Sequence, residues 1–358
     1  MQNGAVTVSS DFTVLVGTIG NGMYRSADGG RRFDWLTEPV NGVCCNEVVV
    51  RGFGVDPFDP HHIIAGTGVF ETPSPALGTP YGLHESYDGG ENWKPIEQFR
   101  GVECWRISFD PKTKGRYFVG ARPAAIFRTD DAGKTFRKLA IDLPRTCIGI
   151  GLPRITAIAI HPEFPQVLFA SVEIGGVRRS LDGGETWEEV FSNDRIELYE
   201  DGRYGAQAQV DCHFVGFLRG DPDLVVVNTA DGPYASADLG ETWTQFSLPR
   251  LFPQQFHHDF VAKLDDPDTL LFGVGDDVTG LKGALLRTTD HGRSWENVAL
   301  PAACNSPIWC FAEHPSNPDR ILMSTHMGQV FASEDGGRRW AKLEREFTEV
   351  RAICWVPN

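Results

Sequence analysis

Short β-branched and apolar runs separated by glycine-rich turns recur along this chain. Residues 155–160, Ile-Thr-Ala-Ile-Ala-Ile, alternate as a strand does, with successive side chains on opposite faces. Residues 167–171, 176–180 and 188–190 follow with turn signals between them, so this stretch predicts four short strands. Between the third and fourth lies an octapeptide, Ser180-Leu181-Asp182-Gly183-Gly184-Glu185-Thr186-Trp187. Its form, Ser/Thr-x-Asp-x-Gly-x-x-Trp/Phe, occurs seven times, anchored by Asp28, Asp88, Asp131, Asp182, Asp238, Asp290 and Asp335 at intervals of 43 to 60 residues. That period belongs to propeller blades and solenoid units. Glycine supplies positive φ at no steric cost, and the aspartate can bond backbone amides two residues on. The closing Trp or Phe can pack between neighbouring sheets. Seven such copies hold seven turns together; they do not build one active site.

The octapeptide is similar to the Asp-box, or bacterial neuraminidase repeat. Through it the chain resembles sialidases, the sortilin ectodomain, the oligoxyloglucan-hydrolysing glycosidases and the photosystem II assembly factor. The resemblance covers nearly the whole chain and implies an all-β, seven-bladed β-propeller. It says little about chemistry, because function lives in sites grafted onto folds. Before the first octapeptide there is room for two inner strands, over residues 5–9 and 12–17. After the last, residues 350–357 read like the innermost strand of another unit, parallel to residues 155–162. The C-terminal strand is expected to complete the first blade, which removes exposed sheet edges. Residues 1–358 are expected to form a single domain, and deletion of the last ten residues to unfold it.

The net charge of −15 argues against a nucleic-acid partner. No apolar stretch reaches 18 residues and the N-terminus is not signal-like, so neither membrane contact nor secretion is supported and a cytoplasmic location is expected. The eight cysteines (Cys44, Cys45, Cys104, Cys147, Cys212, Cys304, Cys310 and Cys354) include no Cys-x-x-Cys pair. They read as free thiols that pack the inner strands, with a thiolate metal site as the weaker alternative.

Candidate chemistry sits where the inner strands begin. Arg51, Arg106, Arg154 and Arg351 lie there, and counting back from the Asp-Pro or His-Pro turns puts Arg51, Trp105, Thr156 and Arg351 in one register. Arginine in a crowded interior is costly unless paired or facing water. It either bridges to Glu47, Glu103, Glu173 or Asp231, or lines an axial pocket for a carboxylate, phosphate or sulfate. Trp105, His258 and His326 join the arginines as candidate ligand-binding residues. The acidic candidates are Glu71, Glu173, Asp211, Asp231, Asp276 and Asp277. Glu173, Asp211 and Asp231 are taken as the candidate acid–base residues, since glycoside hydrolysis needs two flanking carboxylates. Spacing selects no pair among them.

The sialidase resemblance departs in detail. The Phe/Tyr-Arg-Ile-Pro element is missing near the N-terminus, seven blades replace six, and no Tyr-Glu nucleophile pair can be assigned. The xyloglucan-cleaving relatives carry two propellers with the cleft between them, whereas this chain predicts one. His257, His258 and Asp259, with His213 and His326, offer a divalent metal site as a weaker alternative, so no cofactor is assigned. Two long insertions, residues 68–82 and 192–209 (with Tyr199, Arg203 and Tyr204), are expected to form a partial lid. The expected function is binding of a small polar or anionic, glycan-like or carboxylate ligand in an axial pocket, with or without glycosidase-like hydrolysis of it. The alternative is a noncatalytic scaffold for a protein partner.

Overall fold

The computed structural model describes residues 7–36, 49–69, 81–146, 151–192, 210–220 and 223–358. Seven four-stranded antiparallel sheets account for the strands, and the architecture is an all-β, seven-bladed β-propeller. The chain divides into two compact units, residues 1–95 with 248–358, and residues 96–247.

In the first unit the C-terminal strand Val350–Pro357 pairs with Phe12–Thr18, which continues to Met23–Ser26 and Asp34–Leu36. The predicted closure of the first blade therefore holds. The predicted strand over residues 5–9 does not. Thr7 to Ser9 carry no strand, and residues 5 and 6 lie outside the described residues. The reason is competition. Val350–Pro357 takes the place beside Phe12–Thr18, with Val14 opposite Trp355, and the Phe12 ring meets Trp355 edge-on at 5.6 Å. Val14, Val16, Ile353 and Trp355 are buried together there, a larger apolar gain than residues 5–9 offer. The second unit holds three sheets, which begin with the strands Glu103–Phe109, Ile155–Ile160 and Cys212–Leu218.

The octapeptide turns are alike in both units. Around Asp182, the Ser180 hydroxyl donates to Oδ1 at 2.8 Å and accepts from the Gly184 N–H. Oδ1 also accepts from the N–H groups of Glu185 and Thr186, three and four residues on rather than two. Hydroxyl bonds from Thr135, Thr186, Thr242 and Ser294, together with backbone amides, hold Asp131, Asp182, Asp238 and Asp290 down to about 2. These carboxylates are committed to turns. The second glycine of the motif marks where sheets abut: a Cβ on Gly90, at φ +82, would lie 2.6 Å from Leu15. In the second unit the Trp243 indole N–H donates to Val190 of the preceding sheet at 2.9 Å. The motif thus joins turn geometry to sheet packing.

Candidate functional site

All seven inner strands break register close to their start. In the second unit the unmatched residues are Trp105, Thr156 and His213. In the first they are Arg51, the pair His258 and Asp259, Trp309, and Arg351. A β-bulge bends the strand and re-aims the extra residue's side chain, and bulges are over-represented beside functional sites. The shared register of Arg51, Trp105, Thr156 and Arg351 is therefore a shared bulge. Two candidate centres are built on these bulges, one in each unit.

The centre in residues 96–247 follows from strand pairing. Arg154 directly precedes Ile155–Ile160 and Glu173 directly follows Leu168–Val172; pairing of Ile155 with Val172 brings the two to one end of the sheet. The Glu173 N–H donates to the Arg154 carbonyl at 3.0 Å, and the Arg154 guanidinium donates to Glu173 Oε1. The guanidinium also lies 4.0 Å from the Trp105 ring, a cation–π contact. Trp105 donates its indole N–H to Glu103 at 3.0 Å, and Glu103 bridges to Arg122. Glu173 is buried, and its Oε2 has no hydrogen-bond partner among the described residues. Burial pushes its pKa up; Arg154 opposes that shift and the Asp211 carboxylate adds to it. Burial likewise pulls the Arg154 guanidinium down, against the Glu173 charge. Asp211, just before the next inner strand, accepts the Ala230 N–H on its backbone carbonyl. Its Oδ2 lies 3.7 Å from His213, while Oδ1 is buried without a hydrogen-bond partner among the described residues. The result is a buried carboxyl biased toward its protonated form, near a second carboxylate and a fixed cation. That combination can donate a proton to a leaving oxygen.

The centre in residues 1–95 with 248–358 shares the arginine, tryptophan and carboxylate but is layered with histidine. His258 and His326 both stack on Trp309, with ring centroids 3.8 and 4.4 Å away, and the Arg351 guanidinium lies 4.6 Å from the same ring. His258 Nδ1 is 2.7 Å from the Trp309 carbonyl. Glu349, adjoining the strand that carries Arg351, places Oε2 at 3.0 Å from Arg351 and 3.2 Å from His326 Nε2. Burial first, then the Arg351 charge, pulls His326 down to about 4, so its ring is neutral at neutral pH.

The remaining candidates are placed elsewhere. Arg51 is buried and donates to the Val69 carbonyl at 2.9 Å. Arg106 donates to the Thr156 carbonyl of the neighbouring inner strand. Asp231 accepts the Tyr234 hydroxyl at 2.6 Å, while Asp276 and Asp277 accept backbone N–H groups of their own loop. Glu47, Glu71, Cys44, Cys45, Cys147, Tyr199, Arg203 and Tyr204 lie outside the described residues, as do most of both expected lids. Among the described residues no three His, Cys, Asp or Glu side chains are grouped to hold a metal ion. The five described cysteines are buried, and burial raises the thiols of Cys104, Cys212, Cys304 and Cys354, which makes them poor nucleophiles. Sequence reasoning misses Trp309 and Glu349. Trp309 stands six residues before Pro315, as Trp105 does before Pro111, so the same count reaches it.

No family model matches the chain. Xyloglucanase Xgh74A of Acetivibrio thermocellus is 26% identical over 299 residues, covering 71% of this chain and 34% of that protein. The chain thus spans about a third of the length of this curated relative. The GH74 xyloglucanase structure from Xanthomonas campestris superposes with a TM-score of 0.63 at 16% identity, over 94% of this chain and 55% of that one. The structure of YCF48 bound to D1 peptide gives 0.57 at 16% identity, over 93% of each chain. At these identities the structural likeness establishes the propeller fold. Among the described residues no helix is long and apolar enough to cross a membrane.

Proposed function

We propose that the protein binds a small polar or anionic, glycan-like ligand at the Arg154 centre and hydrolyses it. Glu173 acts as general acid, Asp211 as general base, Arg154 as the anion-holding group and Trp105 as the planar support for that cation. One observation carries this reading: Glu173 is buried beside Arg154 and Asp211, and one of its carboxyl oxygens has no hydrogen-bond partner among the described residues. A purely structural ion pair gains by satisfying both oxygens. The xyloglucanase relative supports a glycan as the ligand class. The Asp-box geometry of the turns supports membership of that repeat family.

The test combines thermal shift and reducing-end release, with wild type and Glu173→Gln, on xyloglucan oligosaccharides and uronate-bearing oligosaccharides. Ligand at a hundredfold excess over Kd adds about 2.7 kcal/mol of stability to both proteins. Only wild type then turns over, with a drop of about a hundredfold or more in the variant. Absence of both shift and release across the panel overturns the reading. A second reading, a noncatalytic scaffold for an extended peptide, draws on the near-complete coverage of YCF48 bound to D1 peptide. Peptide binding that is indifferent to Glu173→Gln supports that alternative.

A further inference from the structure

We infer that the Arg351 centre is a second, carboxylate-specific binding site whose resident occupant is the chain's own Glu349. The inference rests on the first unit alone and stands whether or not the Glu173 centre hydrolyses anything.

The receiving half of the site is built and held. Trp309 is buried, packs against Phe256 at 5.7 Å and carries both histidine rings. Arg351 is the bulge residue of its strand, its guanidinium lies 4.6 Å from the Trp309 ring, and its backbone carbonyl accepts from the Cys310 thiol. His326 follows the strand Ile321–Thr325 and is fixed at both backbone ends: its N–H donates to Pro307, and its carbonyl accepts from Val350. Its ring is buried; neither ring nitrogen makes a well-oriented hydrogen bond among the described residues, and Nε2 lies 3.2 Å from Glu349 Oε2. Guanidinium and imidazole therefore converge on one point, and a carboxylate oxygen occupies that point.

The occupying half is loosely held. Glu349 is two residues from Arg351, and about a third of its side chain (34%) faces solvent, against 19% for Arg351 and 7% for His326. The pair is only partly buried, and solvent screening weakens the attraction that holds Glu349 in place. An arriving carboxylate can replace it like for like, while Glu349 swings into water and regains its hydration. The Glu173 carboxylate has no such exit, since only 9% of its side chain is exposed. The chemical class of ligand is a carboxylate on a small or terminal group. A neutral sugar offers nothing to Arg351 that water does not.

The experiment measures sodium glucuronate binding by calorimetry at constant ionic strength, with glucose as the neutral control. Glu349→Gln keeps the shape and removes the resident charge, and it is expected to bind glucuronate at least tenfold tighter than wild type. Acetate shows the same preference if the carboxylate alone is recognised; a gain confined to glucuronate shows that the sugar ring is read too. Glu349→Gln combined with Arg351→Ala returns binding to the wild-type level or below. The tenfold ratio between Glu349→Gln and wild type is the same with and without Glu173→Gln in the background, which assigns the gain to this site and not to the Arg154 centre. A folded Glu349→Gln that gains no affinity, or a gain that survives Arg351→Ala, overturns the inference. So does loss of folding in both Glu349→Gln and Glu349→Ala, because Glu349 would then be structural.

Discussion

The two centres use the same three groups in opposite ways. In residues 96–247 the carboxylate of Glu173 is buried and the tryptophan, Trp105, is half-buried. In residues 1–95 with 248–358 the tryptophan, Trp309, is buried and the carboxylate of Glu349 is partly in water. Burial decides which group becomes chemistry and which becomes framework. A buried carboxyl shifts toward its protonated form and can act as an acid. A buried tryptophan is a fixed platform on which charge can be exchanged.

The largest expected effect tests the platform. Trp309→Ala should cost about 3–5 kcal/mol, the usual range for a buried aromatic, because it empties the stack between Phe256, His258 and His326. Trp105→Ala should cost about 2 kcal/mol or less, since Trp105 is half-buried and loses chiefly its contact with Arg154. Denaturant melts of the two variants check the ordering, and equal costs would erase the comparison. The arginines should rank the other way. Arg154→Ala strands a buried carboxyl and is expected to cost about 3 kcal/mol at neutral pH. Arg351→Ala removes one cation–π contact and one partly exposed pair, for about 1 kcal/mol.

How much of this could be read beforehand differs by level. The octapeptide carries its own turn chemistry, so the number of blades and the position of each hairpin were legible. Closure by residues 350–357 was legible from their likeness to residues 155–162. The strand expected over residues 5–9 was not excluded by local pattern, because its competitor for Phe12–Thr18 lies at the other end of the chain. For the sites, counting back from proline reaches Arg51, Trp105, Thr156, Trp309 and Arg351. The count does not say that this position is a bulge, because a bulge is a property of two paired strands. Nor does it supply Glu173, Asp211 and Glu349, which come from turns and loops and meet their partners only through pairing such as Ile155 with Val172.

The smallest effect is also the most discriminating, because it has a sign. Burial raises the pKa of Glu173 above its unfolded value, so the folded state holds that proton more tightly than the unfolded chain does. Between the unfolded and folded pKa values the native state therefore binds more protons, and its stability falls as pH rises. Glu173→Gln mimics the protonated form at every pH. Below the unfolded pKa it should match wild type, and as pH rises through the folded pKa it should become the more stable of the two. Arg154→Ala should behave oppositely. Without the guanidinium the largest opponent of burial is gone and only His213 and Arg122 still act against it, so Glu173 rises further and the penalty of the variant should grow with pH. Melting temperatures of the three proteins from pH 4 to pH 8 would show a pair of diverging curves about the wild-type line. Two curves that ran parallel to wild type would mean that Glu173 ionises as freely in the fold as in water, and its assignment as the acid would fall.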